Sequence, residues 1–297
     1  MKPAPFDYIA PDSVAETTAV LAQNGDDAKI LAGGQSLIPA MNFRLVQPTL
    51  LVDINRLTDL DYIHNGANSL KIGGLTRQRT VEQDTLIREH APLLHETMPH
   101  IAHWQIRNRG TIGGSLAHAD PAAEIPVIMV ALDARFRLHS ATGDRWVKAA
   151  DFFEGLFTTA LSPTELLVEV EIPFMAPCTG SARTGWSFVE FARRKGDFAL
   201  LGVAAVLTLD DSGICRDARL VYLNAGEIPI SAVQAAALLI GEKPSADLIQ
   251  AAAEKAASDE INPSGHIHAS EPYLRHLGRV LTRRALNKAL ERATGKG

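Results

Sequence analysis

The chain has 297 residues, of which 46% are hydrophobic and 21% charged, and carries a formal net charge of −5 at pH 7. That length suits one large or two to three compact units, and the acidic balance argues against a nucleic-acid surface, whose phosphates require a basic patch. No run of 18 apolar residues occurs and Met1-Lys2-Pro3-Ala4-Pro5 lacks a signal-peptide core, so no membrane span is expected and the chain reads as cytoplasmic.

Ser13-Val14-Ala15-Glu16 has the form of a capping box and Asn24-Gly25 that of a stop, which predicts a helix between them. A strand is expected over 29–32, a turn on Gly33-Gly34, a short helix starting within 36–45 with Pro39 near its first turn, and a buried strand over 50–54. A boundary is placed at 55–60. The next unit opens with a strand over 69–72 and turns on Gly73-Gly74. That glycine pair is left outside any ligand site because polar Thr76-Arg77-Gln78-Arg79 follows it. Helices are expected over 81–89 and 92–104. His95, His100 and His103 lie along the second at offsets that share no face, and no carboxylate or thiol completes a set, so no metal site is expected. Cys178 and Cys215 are too few for an iron–sulfur cluster or an all-cysteine zinc site, so any such cluster would belong to another chain.

The stretch from Arg107 to Pro121 has neither hydrophobic period. Its two cations and three glycines describe a backbone that turns sharply and comes close to something, with an anion as the natural guest. A helix over 121–132 follows, with Glu124 in its first turn, then a hairpin of 135–139 and 145–148 and a strand over 165–172. Residues 173–185 read as a linker. The last unit offers a strand over 186–192, a basic turn Arg193-Arg194-Lys195-Gly196-Asp197, strands over 200–209 and 218–223, and three helices. The final helix carries Leu274, Leu277, Leu281 and Ala285 as one apolar stripe, and His266-Ile267-His268 sits in the loop before it.

Leu31-Ala32-Gly33-Gly34-Gln35-Ser36-Leu37-Ile38 and Thr111-Ile112-Gly113-Gly114-Ser115 share paired glycines and a small hydroxyl residue. Neither contains Gly-x-Gly-x-x-Gly or a P-loop ending, so the pair predicts two backbone nests around one diphosphate rather than a Rossmann or NTPase site. With Phe6-Asp7-Tyr8, Leu51-Val52-Asp53-Ile54-Asn55, Ala150-Asp151-Phe152-Phe153 and the run from Phe191 to Ala199, these segments resemble the FAD-binding medium subunit of the molybdenum hydroxylases. That group includes carbon monoxide dehydrogenase and the flavin domain of xanthine dehydrogenase.

The resemblance implies an α+β chain: a two-lobed FAD-binding region of the vanillyl-alcohol-oxidase/PCMH type and a smaller α+β C-terminal domain. The expected divisions are 1–57, 58–175 and 176–297. It implies FAD held by both glycine segments, with Ile101 and Leu167 near the ring and Glu124 on a ribose hydroxyl. Ser115 stands where relatives often place asparagine. It also implies no catalytic side chain of this chain's own, a small subunit with 2Fe-2S clusters that delivers electrons, a large subunit with the molybdenum cofactor, and an external electron acceptor. Two other readings remain: a self-sufficient flavoprotein oxidoreductase with His118 and Asp120 as acid–base candidates, and a non-catalytic subunit whose flavin site is empty.

Overall fold

The structure is a computed structural model that describes residues 2–175 and 182–295. The first unit is a three-stranded parallel sheet, β1 (Asp7–Ile9), β2 (Ala28–Leu31) and β3 (Leu50–Asp53), in the order β1-β3-β2. Parallel neighbours require a crossover: the helix Leu37–Asn42 lies in the one from β2 to β3, and the helix Val14–Asn24 carries the chain from β1 to β2 on either side of β3. Ser13 accepts from the Glu16 amide (3.1 Å) while the Glu16 carboxylate reaches the Asp12 amide (3.0 Å), one residue earlier than a capping box places it. Gly25 ends the helix with φ +51.

The second unit is an antiparallel sheet ordered β4-β5-β10-β6-β7, built from β4 (Ile63–Asn65), β5 (Ser69–Gly73), β6 (Arg135–Ser140), β7 (Gly143–Lys148) and, after the small hairpin β8 (Phe153–Gly155) and β9 (Thr158–Thr159), β10 (Leu166–Pro173). The last of these strands in sequence occupies the middle of the sheet. Leu166 and Val168 of β10 pack with Val52 and Ile54 against the first unit, while Leu167 and Val170 enter a larger core with Phe136, Phe152 and the helix Glu124–Ala131.

The third sheet is β11 (Ala182–Ala192), β12 (Ala199–Asp210), β13 (Cys215–Leu223) and β14 (Ile230–Ser231), an antiparallel meander. Both of its faces are covered, which explains the unbroken apolar run along β12. Ala204 and Val206 join the core of the second unit, while Leu201, Val203 and Leu207 pack under the long helix Glu271–Ala293. At Gly185 the helix comes so close that a Cβ would strike the Ala289 carbonyl, and Tyr222 hydrogen-bonds Thr282 across this interface (2.6 Å).

Several expected elements change. The helix over 81–89 is two, Gln78–Gln83 and Thr85–His90, because Asp84 is extended and its carboxylate caps the amides of Leu86 (2.8 Å) and Ile87 (3.2 Å). The segment 92–104 breaks at Ala102, which has φ +40, into Pro92–Thr97, a tight turn over Met98–His100, and Trp104–Arg107. The expected loop at 107–121 contains a helix, Ile112–His118, and the helix expected from 121 begins at Glu124. Residues 173 and 182–185 of the expected linker are strand, and its middle, 176–181 with Cys178, lies outside the described residues. Among the described residues no helix is long and apolar enough to cross a membrane, and no group of three metal-ligating side chains occurs.

Candidate functional site

The first glycine segment begins where β2 ends. Gly34 has φ +71, a conformation that side chains rarely adopt, and its neighbours Leu31 Cδ1 and Ile38 Cγ1 would lie 3.1 and 3.2 Å from a Cβ. Among the described residues no acceptor lies within reach of the main-chain N–H groups of Gly33, Gly34, Gln35 and Ser36. Four successive unpaired donors at the end of a strand form an anion-seeking nest.

The second segment is built differently. Ile112 donates to the Thr76 carbonyl (3.0 Å), Gly113 to the Gly74 carbonyl (2.9 Å), Gly114 to Thr111 Oγ1 (3.1 Å) and Ser115 to the Thr111 carbonyl (3.2 Å). All four amides are therefore satisfied inside the protein, and the expected second nest is closed. Its glycines serve close approach, not positive φ. A Cβ on Gly113 would lie 2.6 Å from the Gly74 carbonyl oxygen, and one on Gly74 would strike the carbonyl of Leu167. Gly74, of the pair expected to lie outside the site, is thus what seats the second segment against β10.

The two segments meet directly. A Cβ on Gly33 would strike the Arg109 carbonyl and lie 2.9 Å from Gly110 Cα, and one on Gly114 would sit 3.8 Å from Ala32 Cβ. A run of hydrogen bonds locks this contact: Asn55 Nδ2 donates to the Ala32 carbonyl (2.8 Å), Arg77 donates to Asn55 Oδ1 (2.7 Å) and also to the Arg109 carbonyl (2.5 Å). Arg107 anchors the same segment from below. It is buried, pairs with both oxygens of Glu82 (2.8 and 3.1 Å) and donates to the Ile101 carbonyl (2.6 Å).

The result is an open cleft of about 440 Å³ lined by Leu31, Ala32, Gly33, Gly34, Gln35, Ile38, Pro39, Asp53, Asn55, Ile106 and Arg109. Arg109 is exposed and has no ion-pair partner among the described residues. Asp53 opposes it. Burial acts to raise its carboxyl, but hydrogen bonds from Asn55 and Tyr8, with the charge of Arg109, hold it below the usual range. Free amides and a cation on one wall with a carboxylate on the other suit a ligand that carries a diphosphate and hydroxyl or amine donors. Asp53, Asn55 and Arg77 are not among the expected site residues, and Arg109 is expected only as one of the two cations of its stretch, although the Asp-x-Asn at the end of β3 is a usable signal.

Ser36 and Leu37 complete the first turn, whereas Thr111, Ile112 and Gly113 are buried behind it and Ser115 is half-buried. Ile101 and Leu167 are in the core of the second unit. The structure therefore makes one open nest and one buttress. His118 packs on Phe157 (centroids 5.1 Å), and burial lowers its pKa despite the charge of Asp120. Asp120 Oδ1 accepts from the Ala122 amide (2.9 Å), so it orients its own turn.

Glu124 opens its helix with its rim at solvent and protein on most other sides. Burial first, then the charge of Glu190, push its carboxyl up from 4.5 to about 8. Below the ordinary value of 4.5 the folded and unfolded chains both hold this proton; between 4.5 and 8 only the folded chain does, so stability falls as pH rises through that window. Glu124→Gln is expected to raise the stability of the cofactor-free chain by about 1–2 kcal/mol above pH ~8 and to change it little at pH ~4, with the solvent contact keeping the gain modest. Urea melts at the two pH values measure this directly.

The family described as "FAD binding domain in molybdopterin dehydrogenase" matches residues 4–175, and "CO dehydrogenase flavoprotein C-terminal domain" matches 186–289. The 6-hydroxypseudooxynicotine dehydrogenase complex subunit alpha of Paenarthrobacter nicotinovorans is 44% identical over 293 residues, covering 99% of this chain and 97% of that one. The carbon monoxide dehydrogenase medium chain of Hydrogenophaga pseudoflava is 35% identical over 292 residues, covering 98% of this chain and 99% of its own length. A solved structure of the H. pseudoflava enzyme superposes with a TM-score of 0.94 at 36% identity, covering 98% of this chain and 99% of the other. Quinoline 2-oxidoreductase of Pseudomonas putida 86 superposes with a TM-score of 0.91 at 39% identity, covering 100% and 99%.

Proposed function

This chain belongs to the family of FAD-binding medium subunits of the molybdenum hydroxylases, and from that membership we propose that it is the electron relay of its complex. Electrons enter from a small 2Fe-2S subunit, having left a substrate at the molybdenum cofactor of a large subunit, and pass on to an external acceptor. The observation that supports a resident cofactor in this chain is the open nest at Gly33–Ser36 with Arg109 beside it, because donors in this number without acceptors are matched by a diphosphate. FAD, when bound, accepts electrons and gives them up again.

The chain's own part is to hold and orient. We assign the diphosphate to the amides of Gly33 to Ser36 and the guanidinium of Arg109, and the adjoining hydroxyls or amine to Asp53. Leu31, Ala32, Gln35, Leu37 and Ile38 shape the same wall. Thr111, Ile112, Gly113, Gly114 and Ser115 fix its opposite side, and Ile101, Leu167 and Glu124 lie toward the ring and ribose. We divide the units as 1–57, 58–175 and 176–297, a reading supported by the change from β3 (ending at Asp53) to β4 (from Ile63) and from β10 (ending at Pro173) to β11 (from Ala182).

The test is to co-express the chain with its candidate large and small subunits, purify the assembly and determine FAD, molybdenum and iron per chain. One FAD per chain with molybdenum and iron supports the relay. Substrate turnover by the isolated flavin-loaded chain supports a self-sufficient oxidoreductase instead, and a folded assembly without flavin makes the cleft a structural relic.

A further inference from the structure

Apart from Ile106 and Arg109, every residue that lines the cleft comes from the first unit. None is a position expected near the flavin ring: Ile101 is 8% and Leu167 4% exposed, and both pack in the core of the second unit. The cleft as built therefore serves one half of a dinucleotide. Its volume of about 440 Å³ lies toward the lower end of the range for ligand sites, which suits a single nucleotide better than two joined end to end.

That half has the chemistry of a nucleoside diphosphate. The unpaired amides of Gly33 to Ser36 and the guanidinium of Arg109 supply donors for both phosphates. A second guanidinium stands behind them. Arg77 is committed to two neutral acceptors, the Arg109 carbonyl and Asn55 Oδ1, and makes no ion pair among the described residues. Asp53 across the cleft is an acceptor for sugar hydroxyls or a base amine, and Leu31, Ile38, Pro39 and Ile106 give the apolar surface on which a base can lie.

The walls stand without help from a ligand. Asn55 holds the Ala32 carbonyl and Arg77, Arg77 holds the Arg109 carbonyl, and Gly33 rests on the backbone of Arg109 and Gly110. A cleft held in shape by its own hydrogen bonds loses little free energy to reorganisation when it is filled, so a flavin is not needed to complete it.

We propose that the cleft binds free ADP by itself, in competition with FAD, so that loading of the chain with its cofactor is regulated by the nucleoside diphosphate. This rests on the assignment of FAD to this chain. The unloaded chain holds ADP, and FAD enters by displacing it. AMP and flavin mononucleotide bring one phosphate each to a nest built for two and compete far less.

The test uses the full chain freed of flavin. Its FAD Kd is measured by flavin fluorescence alone and with ADP, AMP or flavin mononucleotide present, and the ADP Kd is measured separately by calorimetry. ADP at ten times its own Kd is expected to raise the apparent FAD Kd about tenfold without changing the number of FAD sites, and to raise the melting temperature of the stripped chain. Arg109→Met, at an exposed side chain, is expected to weaken ADP and FAD by a similar factor while the stripped chain melts no lower than wild type. Weakening of FAD alone in that variant overturns the proposal. An FAD Kd unmoved by ADP, or a loss of FAD sites at unchanged Kd, also overturns it and leaves the cofactor assignment standing. A wild-type chain that takes up ADP but no FAD overturns the cofactor assignment; one that takes up neither overturns both.

Discussion

A chain carrying Gly33→Ala is expected to purify folded but without FAD, its affinity for added FAD reduced at least a hundredfold, or about 3 kcal/mol. The added methyl falls on the Arg109 carbonyl, and that carbonyl cannot retreat because Arg77 holds it and Asn55 holds Arg77. The loops must part, and with them the nest and the cation that face one ligand. Gly34→Val and Gly113→Val are expected to act in the same direction for different reasons, the first through φ +71 and the second through the Gly74 carbonyl. Gly155→Ala is the control, since a Cβ there meets nothing nearer than Thr158 Cβ at 3.9 Å. Flavin content after purification and a titration of the stripped chain give the answer. Full FAD in Gly33→Ala sinks the assignment of the cleft.

Arg107→Met has the largest expected effect on stability, a loss of about 3 kcal/mol. Three groups lose their donor at once: both oxygens of Glu82 and the Ile101 carbonyl. The loss sits at the lower end of the range for a broken buried ion pair because Arg79 still reaches Glu82 at 2.9 Å. Burial acts to raise the Glu82 carboxyl, but the hydrogen bonds from Arg107 and Arg79 outweigh it and hold its pKa below 4.5. The sign follows: this contribution is fully present above 4.5 and is lost as pH falls through the depressed value. The gap between wild type and variant should therefore narrow in acid. Urea midpoints at neutral and acid pH check this, and replacing Glu82 by Leu as well should restore part of the loss. A double variant no more stable than Arg107→Met would mean that the stranded carboxylate is not the cause.

Much of the architecture was legible because it rests on local signals. The capping residues of the first helix, the Gly25 stop, the hairpin at 135–148 and the apolar stripe of the final helix need no knowledge of distant partners. Two breaks inside helical patterns were not read from the sequence, one of them set by a local cap. Asp84 interrupts a helical pattern because its side chain finds two amides, and Ala102 takes a left-handed turn because Arg107 grips the carbonyl before it. The glycine segments were found, but their division of labour was not. Glycine in a sequence does not say whether it serves a positive φ, as at Gly34, or a close approach, as at Gly113; the amides around Gly34 stay unpaired, while those around Gly113 are spent on neighbouring carbonyls and a hydroxyl. Arg77 and Asn55 escaped notice because their role is to join two segments far apart in sequence.

The placement of β10 sets an order of assembly. Every residue that lines the cleft lies between Leu31 and Arg109, yet the second glycine segment is seated on Gly74, and the Gly74 amide is held by the Val168 carbonyl (2.9 Å) in the middle strand of the sheet. During synthesis from the ribosome the cleft therefore stays unformed until residue 173 has emerged and β10 has slotted between β5 and β6. The third sheet arrives last and completes the core of the second unit through Phe188, Ala204 and Val206.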